Sequence, residues 1–173
     1  MQLSLGDPAE DCVIVSYRGR KGYAVVAARA APAGTVMCGF EGPIVALGDI
    51  PPGEINHAIL IDDHRWMIPL APGRYINHGC DPNCALRDRP GDPDRCDVVT
   101  VRAVAAGEEL SFSYNRIDAA EYAANRDNPS YAWNPAWSFD CACGAANCRG
   151  RIDGYELTGP AAPSPTSKED RGM

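Results

Sequence analysis

The sequence lacks both the long apolar run and the excess of positive charge that two large classes of protein require. No uninterrupted apolar stretch approaches the roughly 18 residues that span a bilayer, which argues against a membrane protein. Residues 1–7 carry neither the basic nor the apolar segment of a secretory signal, so we expect a cytoplasmic protein. The net charge is −7, from 16 Lys and Arg against 23 Asp and Glu, so we expect no direct binding to nucleic acid.

What the sequence does contain is many short β-type runs separated by Gly, Pro and Asp. Its 173 residues suffice for one buried core, and 45% of them are hydrophobic, as in an ordinary globular domain. The runs predict strands at 12–15, 23–27, 35–38, 44–47, 58–61, 98–102 and 109–114, with a solvated hairpin tip between Arg87 and Asp97. A helical pattern occurs only at 118–124 and is too short to organise a fold. The sequence therefore predicts a mainly β architecture.

The eight cysteines are distributed unevenly along the chain. Five of them are spread along the body of the sequence, whereas Cys141, Cys143 and Cys148 form a Cys-x-Cys-x4-Cys cluster. In a reducing compartment, clustered thiols indicate metal binding or catalysis rather than disulfides. Structural zinc takes four tetrahedral ligands, so a fourth ligand must come from elsewhere in the chain.

Three separated segments carry a resemblance to a known family. Residues 73–83 read Gly-Arg-Tyr-Ile-Asn-His-Gly-Cys-Asp-Pro-Asn, residues 107–115 read Gly-Glu-Glu-Leu-Ser-Phe-Ser-Tyr-Asn, and the cysteine cluster continues into Arg-Gly at 149–150. In this order they resemble the motifs of SET-domain protein-lysine methyltransferases with a post-SET segment. The resemblance covers residues 9–157.

The resemblance implies a fold and a division of the chain. The expected fold is a SET fold, in which short curved sheets surround a threaded, knot-like C-terminal segment, with a zinc-stapled post-SET extension. We expect an N-terminal arm at 1–8, the SET domain at 9–118 and the post-SET region at 119–157. The Pro- and Ser-rich residues 158–173 are predicted to be disordered.

The resemblance also implies an activity, namely transfer of a methyl group from S-adenosylmethionine to a lysine side chain of a basic protein or peptide. The acidic charge of the chain agrees with such a substrate. Tyr114 is the expected catalytic residue, because its hydroxyl can orient the reacting groups. The residues expected to contact the cofactor are Lys21, Gly22, Tyr23, Arg74, Asn77, His78, Tyr114, Phe139 and Ile152.

In the family, the cysteine of the Asn-His-x-Cys motif joins the post-SET cysteines on one structural zinc ion. The resemblance thus implies Cys80, Cys141, Cys143 and Cys148 as the metal ligands. Cys84 is the nearby alternative to Cys80, and we interpret it as a packed thiol.

The substrate lysine is expected to enter a channel lined by Phe112, His57 and Trp137. Phenylalanine at 112, where a tyrosine hydroxyl could restrain the amine, implies that a second or third methylation is allowed. Trp133, Trp137 and Phe139 either roof the two sites or fill a small core of their own.

Three residues depart from the family pattern. Ala24 replaces a glycine of the cofactor loop, Gly79 replaces a serine, and Ser113 replaces an aspartate whose charge could support the Asn-His segment. Each departure bears on the affinity for the cofactor. The alternative to an enzyme is therefore a catalytically inactive, SET-like, zinc-containing protein-binding module.

Overall fold

A computed structural model describes residues 12–19 and 22–159 and confirms the mainly β architecture. The strands are Val13–Tyr17 (β1), Tyr23–Ala27 (β2), Val36–Phe40 (β3), Ile44–Ala46 (β4), Ile59–Leu60 (β5), Arg65–Met67 (β6), Asn77–His78 (β7), Cys84–Arg89 (β8), Asp92–Thr100 (β9), Ser111–Phe112 (β10), Arg116–Asp118 (β11), Phe139–Asp140 (β12), Arg151–Ile152 (β13) and Glu156–Thr158 (β14). The predicted arm at 1–8 and residues 160–173 of the predicted tail lie outside the described residues.

Two antiparallel three-stranded sheets form the body, in the orders β3-β9-β8 and β4-β6-β5, beside the β1-β2 ribbon. Between β8 and β9 only Pro90 and Gly91 remain outside the strands, and Gly91 has φ +80°. The predicted hairpin tip is therefore shorter than expected, because the charged residues on either side of it pair along the backbones of the two strands.

The threaded segment is visible as a parallel pair of very short strands. In the β7-β10 pair, Asn77 lies opposite Ser111 and His78 lies opposite Phe112. The strand predicted at 109–114 is consequently shorter than expected. Its first residues face β2 instead, where the Leu110 amide donates to the Val25 carbonyl at 2.8 Å. The pairing brings the two predicted site motifs side by side.

The hydrophobic core lies between β2, β3 and β9, with Val25, Met37 and Val98 fully buried. Ile76 and Leu110 are also buried in this core, and they precede the two strands of the threaded pair. Because Ile76 and Leu110 are closely packed in the core, they fix the positions of the site residues that follow them in β7 and β10.

The C-terminal part is built from one short helix and two pairs of short strands. The helix α1 covers Ala119–Asn125, and the Asp118 carboxylate caps it by accepting from the amides of Ala120 and Glu121. Antiparallel β12 and β13 flank the cysteine loop, and β14 lies parallel to β11. Four 3-10 helices lie wholly within residues 22–159, namely Leu47–Asp49, Gly73–Tyr75, Pro129–Tyr131 and Pro135–Trp137. None of the helices in the described part has the length and hydrophobicity to cross a bilayer.

Candidate active site and cysteine cluster

Tyr114 is held at both its backbone and its side chain. Its amide donates a hydrogen bond of 3.2 Å to Nδ1 of His78, and its hydroxyl donates one of 2.6 Å to the carbonyl of Ile76. The rings of Tyr114 and His78 lie edge to face, with their centroids 5.5 Å apart. These contacts exist because β10 ends next to β7, so the chain after Phe112 passes directly over the Asn-His segment.

Loss of hydration favours the neutral form of both side chains, although only His78 is buried and 38% of the Tyr114 surface stays exposed. Desolvation, reinforced by the charge of Glu109, raises the pKa of Tyr114 well above its usual value. Desolvation and the charge of Arg149 lower the pKa of His78 to about 4, although Glu156 opposes this shift. At neutral pH the phenol therefore stays protonated, and the neutral imidazole can accept the Tyr114 amide.

Two cavities meet at this position. A cavity of about 240 Å³ is lined by Asn77, His78, Tyr114, Phe139 and residues 140–143. A cavity of about 700 Å³ is lined by Phe112, His57, Trp137 and further residues of the body. Tyr114 and Phe139 line both cavities, and their ring centroids are 6.0 Å apart. The two aromatic rings thus stand where the cavities adjoin.

The smaller cavity gathers part of the residues expected to contact the cofactor. The Asn77 side-chain amide donates to the carbonyl of Tyr23 and to Glu109, each at 3.1 Å, which ties the N-terminal loop to the motif. Gly22, with φ +74°, immediately precedes this carbonyl. Ile152 is fully buried and pairs with Phe139, so it supports the wall from behind. Lys21 lies outside the described residues.

Arg74 occupies a different place from the other expected cofactor residues. It lines the larger cavity and does not line the smaller one. Its guanidinium donates to both carboxylate oxygens of Glu54, at 2.6 and 3.1 Å, and this hydrogen-bonded pairing lowers the pKa of Glu54. A direct role of Arg74 toward the cofactor stays a prediction.

All three residues expected in the substrate channel line the larger cavity. Trp137 is fixed there by a hydrogen bond from its indole to the carbonyl of Ile55, 2.9 Å long. Trp133 does not line either cavity but packs against Trp137, with the ring centroids 5.6 Å apart. Trp137 and Phe139 thus line cavities, whereas Trp133 packs against a neighbouring aromatic ring.

Two further residues of the larger cavity received no role in the sequence analysis. The indole N–H of Trp66 and the side-chain amide nitrogen of Asn115 are buried and have no hydrogen-bond partner among the described residues. Asn115 is the last residue of the family-like motif at 107–115, so its place in that motif could have marked it as a candidate site residue. Trp66 lies in a three-residue strand whose sequence carries no such signal.

The three departures from the family pattern fit the structure in different ways. Ala24 is fully buried in β2, and no described residue other than glycine has a positive φ, so its methyl group causes no backbone strain. A Cβ atom at Gly79 would lie only 2.5 Å from Oγ of Ser111, so a side chain there would force Ser111 to shift. Ser113 donates a hydrogen bond of 3.2 Å to the carboxylate of Glu156.

The four cysteines implied as metal ligands come together. The Sγ atoms of Cys80, Cys141, Cys143 and Cys148 all lie within 4.8 Å of one another. The Cys80 and Cys141 sulfurs are 3.8 Å apart. Tetrahedral zinc with Zn–S bonds of about 2.3 Å places its sulfur ligands about 3.8 Å apart, so the cluster fits this metal. Cys84 is buried in the core at β8, which raises the pKa of its thiol to about 11.

The surroundings act in opposite directions on two thiols of the cluster, because burial and hydrogen bonds to the neighbouring thiols raise the pKa of Cys141, whereas the pKa of Cys143 is lowered. Although burial opposes ionisation, hydrogen bonds from the backbone at Cys80 and Ala145 help to lower the pKa of the Cys143 thiol to about 6. The Arg149 amide donates to Sγ of Cys80 at 3.5 Å, and Nε2 of His78 lies 3.3 Å from the same sulfur. Cys80 therefore contacts both His78 and the loop that carries the other three cysteines.

Comparison with known proteins decides the family. The model of the SET domain matches residues 22–115, which is more than half of the chain. The chain belongs to the SET-domain family. The match contains both motifs that build the site, the Asn-His segment and the strand leading to Tyr114.

Similar curated proteins of this family are much longer than the chain. The histone-lysine N-methyltransferase ASHH2 of Arabidopsis thaliana is 24% identical over 88% of the chain and 9% of its own length. An H3 lysine-36 specific histone-lysine N-methyltransferase of Chaetomium globosum is 38% identical over 54% of the chain and 9% of its own length. Su(var)3-9 of Drosophila melanogaster, also a histone-lysine N-methyltransferase, is 30% identical over 74% of the chain and 22% of its own length. The chain thus spans only a small fraction of these relatives.

Proposed function

We propose that this SET-domain chain is a protein-lysine N-methyltransferase that uses S-adenosylmethionine. The observation that carries the proposal is the position of Tyr114, which lines two adjoining cavities and is fixed beside His78. A methyl transfer between two separately bound molecules requires such a meeting point. The names of the relatives, each a histone-lysine N-methyltransferase, support the same reaction class.

The smaller cavity is the proposed cofactor site. Asn77, His78 and Phe139 line it, and Gly22 and Tyr23 adjoin it through the Asn77 hydrogen bond. S-adenosylmethionine, when bound, supplies an electrophilic methyl group on a positively charged sulfur. The neutral imidazole of His78 suits this environment because it adds no further positive charge.

The larger cavity is the proposed entrance for the substrate lysine. Its walls include Phe112, Trp137 and Trp66, so an ammonium group entering there loses much of its hydration. Desolvation lowers the pKa of an amine and favours the neutral form that can attack. Tyr114 acts by orientation rather than as a base, because its phenol stays protonated and is fixed on the Ile76 carbonyl.

The cysteine cluster is the proposed site of one structural zinc ion. Four thiolates complete a tetrahedral shell and leave no position for a water molecule, so the metal activates no nucleophile. Its role would be to hold the loop between β12 and β13, and with it Phe139, against the Asn-His segment.

The proposed substrate is a basic protein or peptide such as a histone tail. The net charge of −7 would attract such a segment, and the relatives act on histones according to their names.

The proposal is tested by methyl transfer. The chain is incubated with isotope-labelled S-adenosylmethionine and either core histones or a whole-lysate protein pool, and mass spectrometry then locates the label. We expect label on lysine side chains of at least one pool, together with saturable binding of the cofactor in a calorimetric titration. Saturable binding without transfer to either pool contradicts the proposed reaction. Absence of both points to the inactive binding module.

A further inference from the structure

Glu156 forms hydrogen bonds with both sequence neighbours of Tyr114, Ser113 and Asn115. Its carboxylate accepts the hydroxyl of Ser113 at 3.2 Å, and its backbone amide donates to the carbonyl of Asn115 at 2.7 Å. These contacts follow from the parallel pairing of β11 with β14, which places Glu156 opposite Arg116. The residues before and after Tyr114 are thus fixed by one residue.

The same carboxylate is linked to the cysteine cluster. Nη2 of Arg149 lies 3.6 Å from the Glu156 carboxylate, while the Arg149 amide donates to Sγ of Cys80. Cys80 in turn contacts His78, which accepts the amide of Tyr114. The contacts close a ring that joins the cluster, the histidine and the proposed catalytic tyrosine.

Within this ring, the hydrogen bond from Ser113 matters more than the ion pair. The side chains of Glu156 and Arg149 are 40% and 35% exposed, so solvent screens their attraction. The Ser113 bond is long at 3.2 Å and its acceptor is partly exposed, so it is modest in strength, but it is directional in a way that the 3.6 Å ion pair is not. It also acts on the residue adjacent to Tyr114.

We propose that Glu156 is a positioning residue for Tyr114. It supplies from β14 the carboxylate that the resembling family carries at position 113, where this chain has serine. The departure at Ser113 is therefore compensated in space by a residue 43 positions further along the chain. The consequence for turnover rests on the proposed methyltransferase function, whereas the consequence for the placement of Tyr114 does not.

Moving the carboxylate between the two positions tests the proposal. Glu156→Ala should lower kcat about tenfold, the effect of losing a hydrogen bond to a charged group. Ser113→Asp alone should also lower it, because two carboxylates would then repel at hydrogen-bond distance. The double variant Ser113→Asp/Glu156→Gln should return kcat to within about threefold of the parent, since the carboxylate is present again and Gln can donate to it.

A second readout does not depend on turnover. In NMR hydrogen exchange, the Tyr114 amide should exchange about tenfold faster in Glu156→Ala and regain protection in the double variant. The matched control is Glu41→Ala, because Glu41 also pairs with an arginine, Arg95 at 3.3 Å, but lines neither cavity. That variant should leave both readouts unchanged.

The outcomes separate this proposal from the proposed function. If the parent transfers no methyl group, the function fails, and the exchange measurement still decides the role of Glu156. Parental kcat and exchange in Glu156→Ala would overturn the positioning role. The positioning role would also be overturned if the losses of kcat in the two single variants simply added up in the double variant. A purely structural role of Glu156 would lower thermal stability, and returning the carboxylate at position 113 would then not restore kcat.

Discussion

The amide of Tyr114 donates a hydrogen bond to Nδ1 of His78 across 36 residues of sequence. This bond joins the two motifs that the sequence presents separately. It exists because the parallel β7-β10 pair sets His78 opposite Phe112, two residues before Tyr114. The position of the proposed catalytic hydroxyl is therefore a property of the threaded segment rather than of either motif alone.

Replacing the hydroxyl of Tyr114 tests its role directly. Tyr114→Phe keeps the ring and its contact with His78 but removes the group that donates to Ile76. We expect kcat to fall on the order of 100-fold, typical for loss of one group that acts on the transition state. The dissociation constant of S-adenosylmethionine should change less than about threefold, because the other walls of the smaller cavity remain.

The control for this variant is Tyr17→Phe. Tyr17 is 68% exposed on β1 and lines neither cavity, so loss of its hydroxyl should leave turnover at the parental level. Equal rates in the parent and in Tyr114→Phe would rule out the role assigned to Tyr114.

Removing one sulfur from the cysteine cluster should release the metal. We expect about one equivalent of zinc in the parent by elemental analysis and well below that in Cys148→Ser, because three ligands do not complete the tetrahedral shell. Cys96→Ala is the matched thiol variant, since Cys96 is buried in the core away from the cluster, and it should retain the metal. A full equivalent bound to Cys148→Ser would contradict the four-cysteine assignment.

Sequence patterns predicted those strands whose apolar residues lie between turn signals. The strand at 23–27 was predicted with the bounds that the structure has, because its apolar residues are bracketed by turn signals. Strand β10 falls within the run predicted at 109–114, whereas the two-residue strand β7 shows no periodicity and was not predicted, and neither was its pairing with β10. Strand β8 was missed because Arg87, Asp88 and Arg89 give it the composition of a loop.

The candidate site divides in a similar way. The residues that resemble a motif, such as Tyr114 and Cys80, could be selected from the sequence. Glu156 could not be, because it lies outside every motif and its relation to Ser113 depends on the pairing of β14 with β11. The placement of Arg74 beside Glu54 likewise depends on a loop whose sequence predicts no partner.

Arg74 offers a test of which cavity serves which molecule. Because it lines the larger cavity and pairs with Glu54, we expect Arg74→Met to raise the KM for the substrate a few-fold. The dissociation constant of S-adenosylmethionine should stay near that of the parent. Glu54→Gln should likewise raise the KM for the substrate, since it removes the negative charge that pairs with Arg74. A loss of cofactor affinity in Arg74→Met without a change in KM for the substrate would instead support direct contact with the cofactor.

Phe112 should influence how many methyl groups are added. Its ring lies between Phe40 and Tyr114, with centroid distances of 5.6 and 4.9 Å, and it lines the larger cavity. Phe112→Tyr adds a hydroxyl that can bind the amine or a water molecule and so restrain it. In a mass-spectrometric time course, we expect a shift toward the monomethyl product at unchanged cofactor affinity. If the ratio of mono-, di- and trimethylated products did not change, other residues of the channel would determine how many methyl groups are added.

The close packing at Gly79 predicts a cost for any side chain there. A Cβ atom would lie 2.5 Å from Oγ and 2.9 Å from Cβ of Ser111, and Cβ of Ser111 cannot move away without shifting β10. Gly79→Ala should therefore lower the free energy of unfolding by about 1–3 kcal/mol, the usual penalty of overpacking, measured as a lower denaturation midpoint.

The matched control is Gly48→Ala, where a Cβ atom meets nothing within 4 Å. Because Gly79 separates His78 from Cys80, the displaced segment should also weaken zinc retention in Gly79→Ala. Ser111→Gly in the same chain should restore part of both losses by removing the contact. If Gly79→Ala were as stable as Gly48→Ala, the Asn-His segment would have room to move relative to β10, and the rigid placement of Tyr114 argued above would not hold.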